Sequence, residues 1–376
     1  MIRKALFGPL LVSLTTACSH APPEDFTPDP GLVARIRDID IRTVQAQACP
    51  GGQVQASYDA VLDDGTHLPF VHSYDKKHPP RLHMVFLELS SPDASPNRDG
   101  SWTAVSNPVA TVSTGFRLTA TLRAKPTIQH TVSLAPDYGC MPHAFAFNGD
   151  PGQAMQAGGN GPDVVVRLGI TRSPFYDRLL VVGLEAGTAL PVYALYDANS
   201  VPPADFLVVE SRGGRGGAGS PGTRGGSGVD GVTGCPGQAG APGGDGGTGG
   251  PGAPGGRGGR VTIVVPDNEP LLAGLIEVRS PGGSGGPGGS GGPAGKGGQG
   301  GSGAVTRDGT HCADGQDGPD GRKGAQGPLG SDGPHGPRHD IVTVAARDVF
   351  GGELPDDLAE LFAQSRRGPP RRPSDR

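Results

Sequence analysis

Apolar and polar residues alternate along several stretches between residues 32 and 211. The alternation is clearest over residues 54–62 and 116–122, and a shorter example covers residues 82–86. A period of two is typical of strands that bury one face. Further strand candidates are residues 164–170, 179–184, 190–196 and 206–209. Short strands separated by polar turns, without a convincing amphipathic helix between them, predict a mainly β fold with a β-sandwich over residues 31–203.

After Arg212 the pattern changes, and glycine recurs at every third position. The period holds without exception from Gly213 to Gly258; it recurs over residues 282–303, broken by Ala294, and again over residues 315–338. Residues 213–339 contain no aromatic side chain other than histidine, so this region cannot build an ordinary hydrophobic core. A period of three residues is that of a polyproline II helix.

Strand-like pieces flank the glycine tracts. Residues 206–212 lead into the first tract and residues 275–281 into the second, while the strand-like residues 261–265 and 342–346 follow the tracts. The pattern predicts a unit of strand, glycine tract and strand that occurs twice. We therefore expect a repeat region over residues 204–348, with tracts 213–260, 282–303 and 315–338 anchored by strands of one sheet.

The first two tracts are rich in paired glycines, and in the first tract proline never follows the periodic glycine directly. This pattern disfavours a collagen triple helix there. It resembles the glycine-rich polyproline II bundles of arthropod antifreeze proteins and phage tail-fibre adhesins, and the resemblance covers residues 213–303. It implies helices that pack side by side through backbone hydrogen bonds.

The third tract has a different composition. Pro319, Pro328, Pro334 and Pro337 each follow a glycine directly. This tract resembles the collagen-like repeats of bacterial surface proteins, and that resemblance implies a homotrimer. No trimerising coiled coil is visible beside it, so we expect a monomer, with the homotrimer as the alternative.

The N-terminus has the features of an export signal. Arg3 and Lys4 precede an apolar run over residues 5–16, which is too short to span a bilayer. Residues 15–18 resemble the lipobox of bacterial lipoproteins, although Thr15 departs from its first position. The resemblance implies a signal peptide over residues 1–17, lipidation of Cys18, a tether over residues 18–30, and anchoring in the outer membrane or at the cell surface. The alternative is plain secretion that leaves Cys18 as a free thiol.

Four cysteines remain after Cys18, and they allow three disulfide pairings. The organisation of the chain favours Cys49 with Cys140 and Cys235 with Cys312, because each pair then lies within one region. None of their spacings is that of a zinc site, so we expect no metal and no cofactor.

The C-terminal residues predict a short helix and a tail. Apolar residues at helical spacing indicate a helix within residues 349–365, and the basic, proline-rich residues 366–376 are expected to be disordered. The net charge of −5 gives no reason to expect nucleic acid as a partner.

No motif in the chain indicates catalysis. Residues 282–286 match the esterase pattern GxSxG, but a glycine-rich chain produces such matches by composition. Asp314, Asp317 and Asp320 recur at every third residue and predict a solvated row of charge. The histidines have no ligand-like spacing; they include His67, His72, His78 and His83.

The sequence therefore predicts a cell-surface lipoprotein with a structural or adhesive role and no catalytic residues. The alternative is a binding module for a glycan or another surface ligand. Its partners would be an extracellular polysaccharide or another surface protein. An enzyme with an unrecognised site is the least favoured interpretation.

Overall fold

A computed structural model of the chain describes residues 22–202, 204–352 and 354–366. The predicted signal peptide, Cys18 and residues 367–376 of the predicted tail lie outside the described residues. The described part is mainly β, which confirms the predicted fold class. None of its helices has the length and apolar character needed to cross a bilayer.

The chain divides into two compact units, residues 1–140 and 141–376. The division differs from the boundary between residues 203 and 204 that the sequence predicted. The reason is strand pairing, because residues 164–197 belong to the same sheet as the strands that follow the glycine tracts. The glycine tracts separate these strands along the chain, but the strands are hydrogen bonded to one another in the sheet.

The described residues of unit 1 form a helix, α1 (Pro30–Arg35), and ten strands. Asp29 caps α1, since its side chain accepts a hydrogen bond from the Gly31 amide. The strands are β1 (Ile36–Thr43), β2 (Gln47–Ala48), β3 (Gln53–Val54), β4 (Ala56–Leu62), β5 (His67–Pro69), β6 (Leu87–Ser90), β7 (Ala94–Pro96), β8 (Trp102–Ala104), β9 (Phe116–Leu122) and β10 (Gln129–Pro136).

These strands form three sheets, ordered β1-β4-β5, β2-β10-β9-β6 and β3-β8-β7. The strand predicted over residues 82–86 is wrong, because Met84–Phe86 forms a 3-10 helix that precedes β6. A second 3-10 helix covers Pro108–Thr111. Trp102 is fully buried, and its indole N–H donates to the hydroxyl of Tyr58 at 2.7 Å.

The part of unit 2 that the structure describes forms eight strands and one α-helix. They are β11 (Ala144–Asn148), β12 (Val164–Thr171), β13 (Leu179–Ala186), β14 (Val192–Asp197), β15 (Leu207–Arg212), β16 (Val261–Pro266), β17 (Ile276–Arg279), β18 (Asp340–Val344) and α2 (Asp356–Arg366). One sheet has the order β11-β15-β17, with parallel pairing throughout. The other has the order β14-β13-β12-β16-β18, in which β12, β16 and β18 are parallel. Both sheets contribute to one hydrophobic core.

The helix α2 packs on the second sheet of unit 2 through aromatic residues. An added Cβ at Gly169 would lie 2.9 Å from the Phe350 ring and 3.2 Å from the Phe362 ring. Glycine therefore lets both rings approach the strand closely. The hydroxyl of Ser365 lies 2.9 Å from that of Thr171 and holds the end of the helix at the same sheet. A 3-10 helix, Pro270–Leu275, precedes β17.

Candidate functional site

The glycine-rich residues of unit 2 form a hydrogen-bonded bundle of six extended segments. We number them in chain order as segment 1 (residues 149–155), segment 2 (156–163), segment 3 (213–234), segment 4 (237–260), segment 5 (282–303) and segment 6 (315–338). Odd-numbered segments continue β11, β15 and β17, whereas even-numbered segments lead into β12, β16 and β18. The unit of strand, hairpin and strand therefore occurs three times, where the sequence predicted two.

The segments lie in two layers, each hydrogen bonded at every third residue. In the first layer, the amides of segment 3 donate to carbonyls of segment 5, as Gly222 does to Ser290 at 2.8 Å. In the second layer, segment 4 donates to segment 6, as Gly246 does to Arg322 at 2.8 Å. Every third residue of these segments therefore makes the same type of backbone hydrogen bond.

A second set of backbone hydrogen bonds joins the two layers. Gly247 of segment 4 donates to Thr223 of segment 3 at 2.7 Å, and Gly292 of segment 5 donates to Gly247 at 2.9 Å. Segment 6 donates to segment 5 in the same way, from Gly324 to Gly292 at 2.9 Å. Segment 4 thus uses two amides of most triplets, one within its layer and one between layers.

Glycine is required where segments touch and dispensable where they do not. A Cβ added at Gly249 would clash with the backbone of Gly289 and Ser290 in segment 5. At Gly226, by contrast, an added Cβ would meet no atom within 4 Å. Backbone contact takes the place of side-chain packing in the interior of the bundle, which explains how residues without large apolar side chains form an ordered structure.

A disulfide joins the far ends of the two long hairpins. Cys235 follows segment 3 and Cys312 precedes segment 6, with their Cα atoms 5.2 Å apart. This bond, the turn at residues 235–236 and the loop at residues 304–313 form what we call the tip of the bundle. In unit 1, Cys49 and Cys140 form the second disulfide, with a Cα separation of 6.1 Å. Both pairs are those that the organisation of the sequence favoured.

The aspartate row predicted from the sequence lies on the open edge of the bundle. The carboxylates of Asp314, Asp317 and Asp320 accept hydrogen bonds of 2.7–2.8 Å from backbone amides of segment 5. The donors are Gly303, Gly300 and Gly297, and Asp332 accepts from Gly285 in the same way at 2.9 Å. These side chains occupy amides that a neighbouring segment would otherwise bond.

The opposite edge is covered only near the sheets. Segment 1 donates to the carbonyls of Arg212, Arg215 and Ala218, and it ends there. Beyond this point, four of the next five triplets of segment 3 have a larger residue than glycine at their second position, namely Ser220, Thr223, Val229 and Val232, and Gly226 is the exception. Val229 is 76% exposed and Val232 is 61% exposed. Side chains at these positions hinder the close approach of another glycine segment.

In unit 1, one group of side chains has the composition of a metal site. Oxygen and nitrogen atoms of Asp40, Asp59 and His67 all lie within 4.8 Å of one another. However, the guanidinium of Arg42 forms ion pairs with both carboxylates. This cation already compensates the buried Asp59, so we interpret the group as an ion-pair network.

A cleft of about 950 Å³ opens in unit 1 beside two of the histidines. His83 is buried, and its ring nitrogens contact the carbonyl of His72 at 3.0 Å and the amide of Val85 at 3.1 Å. Burial lowers the pKa of His72, and the neighbouring His83 lowers it further. Hydrogen bonds from Ser101 lower the pKa of Asp99 at the same cleft. These shifts in pKa favour a neutral His72 imidazole and an ionised Asp99 carboxylate at neutral pH.

The remaining candidates are not brought together. His78 contacts Asp75 on the surface at 3.3 Å, and Ser284 of the esterase-like pattern lies in an extended segment, where its carbonyl accepts from Gly216. No sharp strand-to-helix turn presents this serine as the esterase pattern requires. Within the described residues, these groups give no assembled catalytic arrangement.

Comparison with known proteins found no relative of this chain. No protein-family model, curated protein or solved structure matches the chain. The bundle and the cleft are therefore interpreted from their own chemistry.

Proposed function

We propose that the chain is a cell-surface lipoprotein with a structural or adhesive role, in which the glycine bundle is a rigid arm that presents the tip. The observation that carries this proposal is the ladder of backbone hydrogen bonds that joins segments 3, 4, 5 and 6 along their length. Each segment is held by at least two others. Such bonding resists bending of any one segment alone.

The length of the arm suits presentation. Segment 3 has 22 residues, and the polyproline II rise gives about 65 Å from the sheets to the tip. The disulfide between Cys235 and Cys312 links the ends of both hairpins, so the tip cannot separate into two loops. At the tip, Arg307, Asp308 and His311 are exposed and available to a partner.

The location is also a proposal. We infer that Cys18 is lipidated and holds the chain at the outer membrane or cell surface, and that residues 31–203 after the tether form a β-sandwich. Two disulfide-bonded pairs support folding in an oxidising, exported environment. Within this proposal, the chain is a monomer without catalytic activity, and its partner is an extracellular polysaccharide or another surface protein. A role as a ligand-binding module is the alternative, which the cleft of unit 1 favours.

Attachment of producing cells tests the adhesive role. Cells that display the natural chain would be compared under flow, on polysaccharide-coated surfaces, with cells that lack it. A third strain would carry Arg307→Ser, Asp308→Ser and His311→Ser at the tip. We expect the natural chain to increase attachment and the tip variant to lose most of that increase.

Two controls make the result interpretable. Antibody labelling of intact cells measures display, and a Cys18→Ala variant measures dependence on the anchor. Attachment that is equal with and without the chain, at normal display, would contradict an adhesive role. Attachment that survives the tip changes would place adhesion elsewhere on the molecule.

A further inference from the structure

The cleft of unit 1 combines an apolar strip with arginine side chains. It lies between the segment at residues 83–89, the turn at residues 96–100 and Arg123. Its apolar side is formed by Met84, Val85, Leu87, Leu89 and Pro96. Val85 is 48% exposed, although it is a large apolar residue. A strip of this kind suits the C–H face of a ring.

Two arginines line the same cleft, and neither forms an ion pair with a carboxylate among the described residues. Arg123 donates from Nε to the carbonyl of Leu87 at 3.0 Å, which fixes the plane of its guanidinium. The side chain of Arg98 makes no ion pair among the described residues. Other arginines of unit 1 do pair with carboxylates, as Arg35 does with Asp63 and Arg117 with Asp93. The cleft therefore retains cationic groups available to an anion.

Hydrogen-bonding groups complete the lining. One carboxylate oxygen of Asp99 accepts from the backbone amide and hydroxyl of Ser101, and its second oxygen accepts from no other side chain among the described residues. The His72 ring lies beside Gly100, where an added Cβ would be 2.8 Å from Nε2. A carboxylate acceptor and an imidazole thus lie within the same cleft as the arginines.

We propose that this cleft binds an acidic sugar, a hexuronate unit of an extracellular polysaccharide. The guanidinium groups of Arg98 and Arg123 would bind the carboxylate, since arginine presents paired donors that match it. The apolar strip would contact the ring face, and Asp99 would accept hydrogen bonds from sugar hydroxyls. The open form of the cleft admits an internal unit of a polymer. The site is independent of the glycine bundle, so either proposal can fail alone.

Calorimetric titration of the purified full chain tests this site. The probes are oligogalacturonate, oligomannuronate and a hyaluronan fragment, each beside its carboxyl-reduced, neutral counterpart. We expect at least one acidic oligosaccharide to bind, with affinity falling as salt rises. Its neutral counterpart should bind at least tenfold more weakly. Failure of all three acidic probes, or equal binding of acidic and neutral forms, would overturn the proposal.

Variants locate the site. Arg98→Ala and Arg98→Glu should weaken binding at least tenfold, with the larger loss for charge reversal. Arg81→Ala is the matched control, because Arg81 is exposed in unit 1 and does not line the cleft. Circular dichroism would verify that each variant folds. Binding that survives both changes at Arg98, or that falls equally with Arg81→Ala, would contradict the assignment.

Discussion

The carboxylate of Asp320 accepts a hydrogen bond of 2.8 Å from the backbone amide of Gly297. A side chain of segment 6 thereby occupies a donor on the open edge of segment 5. Asp314 and Asp317 act in the same way on the next two triplets. The arrangement resembles the protection of exposed β-sheet edges, where unpaired backbone groups promote association.

Removing these carboxylates should expose the edge. In the triple variant Asp314→Ala, Asp317→Ala and Asp320→Ala, three amides of segment 5 lose their acceptors. We expect faster exchange of these amides and concentration-dependent association in sedimentation velocity. The matched triple asparagine variant retains an acceptor oxygen at each position and should stay monomeric. Equal behaviour of the two variants would show that the hydrogen bonds do not protect the edge.

Alanine substitutions at two glycines of the bundle should differ in their effect on the free energy of unfolding. At Gly249, a Cβ would clash with segment 5, and overpacking of this kind costs about 1–3 kcal/mol. At Gly226, a Cβ meets no atom within 4 Å, so Gly226→Ala should leave stability within about 0.5 kcal/mol of the natural chain. Chemical unfolding of unit 2 measures both changes. A similar cost at the two positions would contradict the described packing.

Removal of the tip disulfide should destabilise unit 2 selectively. The cysteines are separated by 77 residues, and the chain-entropy relation assigns such a loop about 4 kcal/mol. The double variant Cys235→Ser and Cys312→Ser should lower the free energy of unfolding of unit 2 by this order. The pair Cys49→Ser and Cys140→Ser is the control and should act on unit 1 instead. An unchanged unfolding transition of unit 2 would show that the disulfide does not stabilise this unit and that its hydrogen bonds suffice.

Alkaline pH should weaken unit 1 through Tyr58. Burial raises the pKa of this phenol from 10.0 to about 12, and its hydroxyl donates to the carbonyl of Gly100 at 2.8 Å. Because the folded-state pKa is raised, this contribution is complete below pH 10 and is lost as pH rises toward 12. We expect a loss of up to about 2–3 kcal/mol across that interval.

The variant Tyr58→Phe isolates this effect. It leaves the Trp102 indole N–H and the Gly100 carbonyl without their partner, which costs about 1–3 kcal/mol at neutral pH. Between pH 10 and 12 its stability should fall less than that of the natural chain. Parallel slopes, measured by urea unfolding of unit 1, would contradict the assignment to Tyr58.

The sequence predicted the mainly β fold class from its alternating strands, and a glycine period of three runs through segments 3 to 6. The same signal extends to the short hairpin, where Gly149, Gly152, Gly158 and Gly161 keep the period of three and Met155 breaks it. This hairpin falls within the predicted β-sandwich over residues 31–203, and its few glycines are flanked by ordinary residues. Spacing would have identified it, whereas composition did not.

Other structural features, including the aspartate hydrogen bonds and the cleft, have no recognisable pattern in the amino-acid sequence. The role of Asp320 depends on the stagger between segments 5 and 6, which places its carboxylate beside an amide 23 residues away. The cleft joins residues from 72 to 123 that share no motif. The division between the two units follows the pairing of β12, before the glycine tracts, with β16, after the first of them. Such relationships arise from tertiary pairing and could not be derived from local patterns.

Amide hydrogen exchange of the glycine-labelled chain, resolved by nuclear magnetic resonance, tests the central claim most directly. In segment 4, both glycines of the pairs 243–244, 246–247 and 249–250 donate backbone hydrogen bonds to other segments. The hydrogen-bonded bundle therefore predicts slow exchange for both members of each pair, together with fast exchange at Gly226, for which no acceptor is found among the described residues. Fast exchange at all these glycines, or protection of only one glycine in each triplet as in a triple helix, would contradict the bundle.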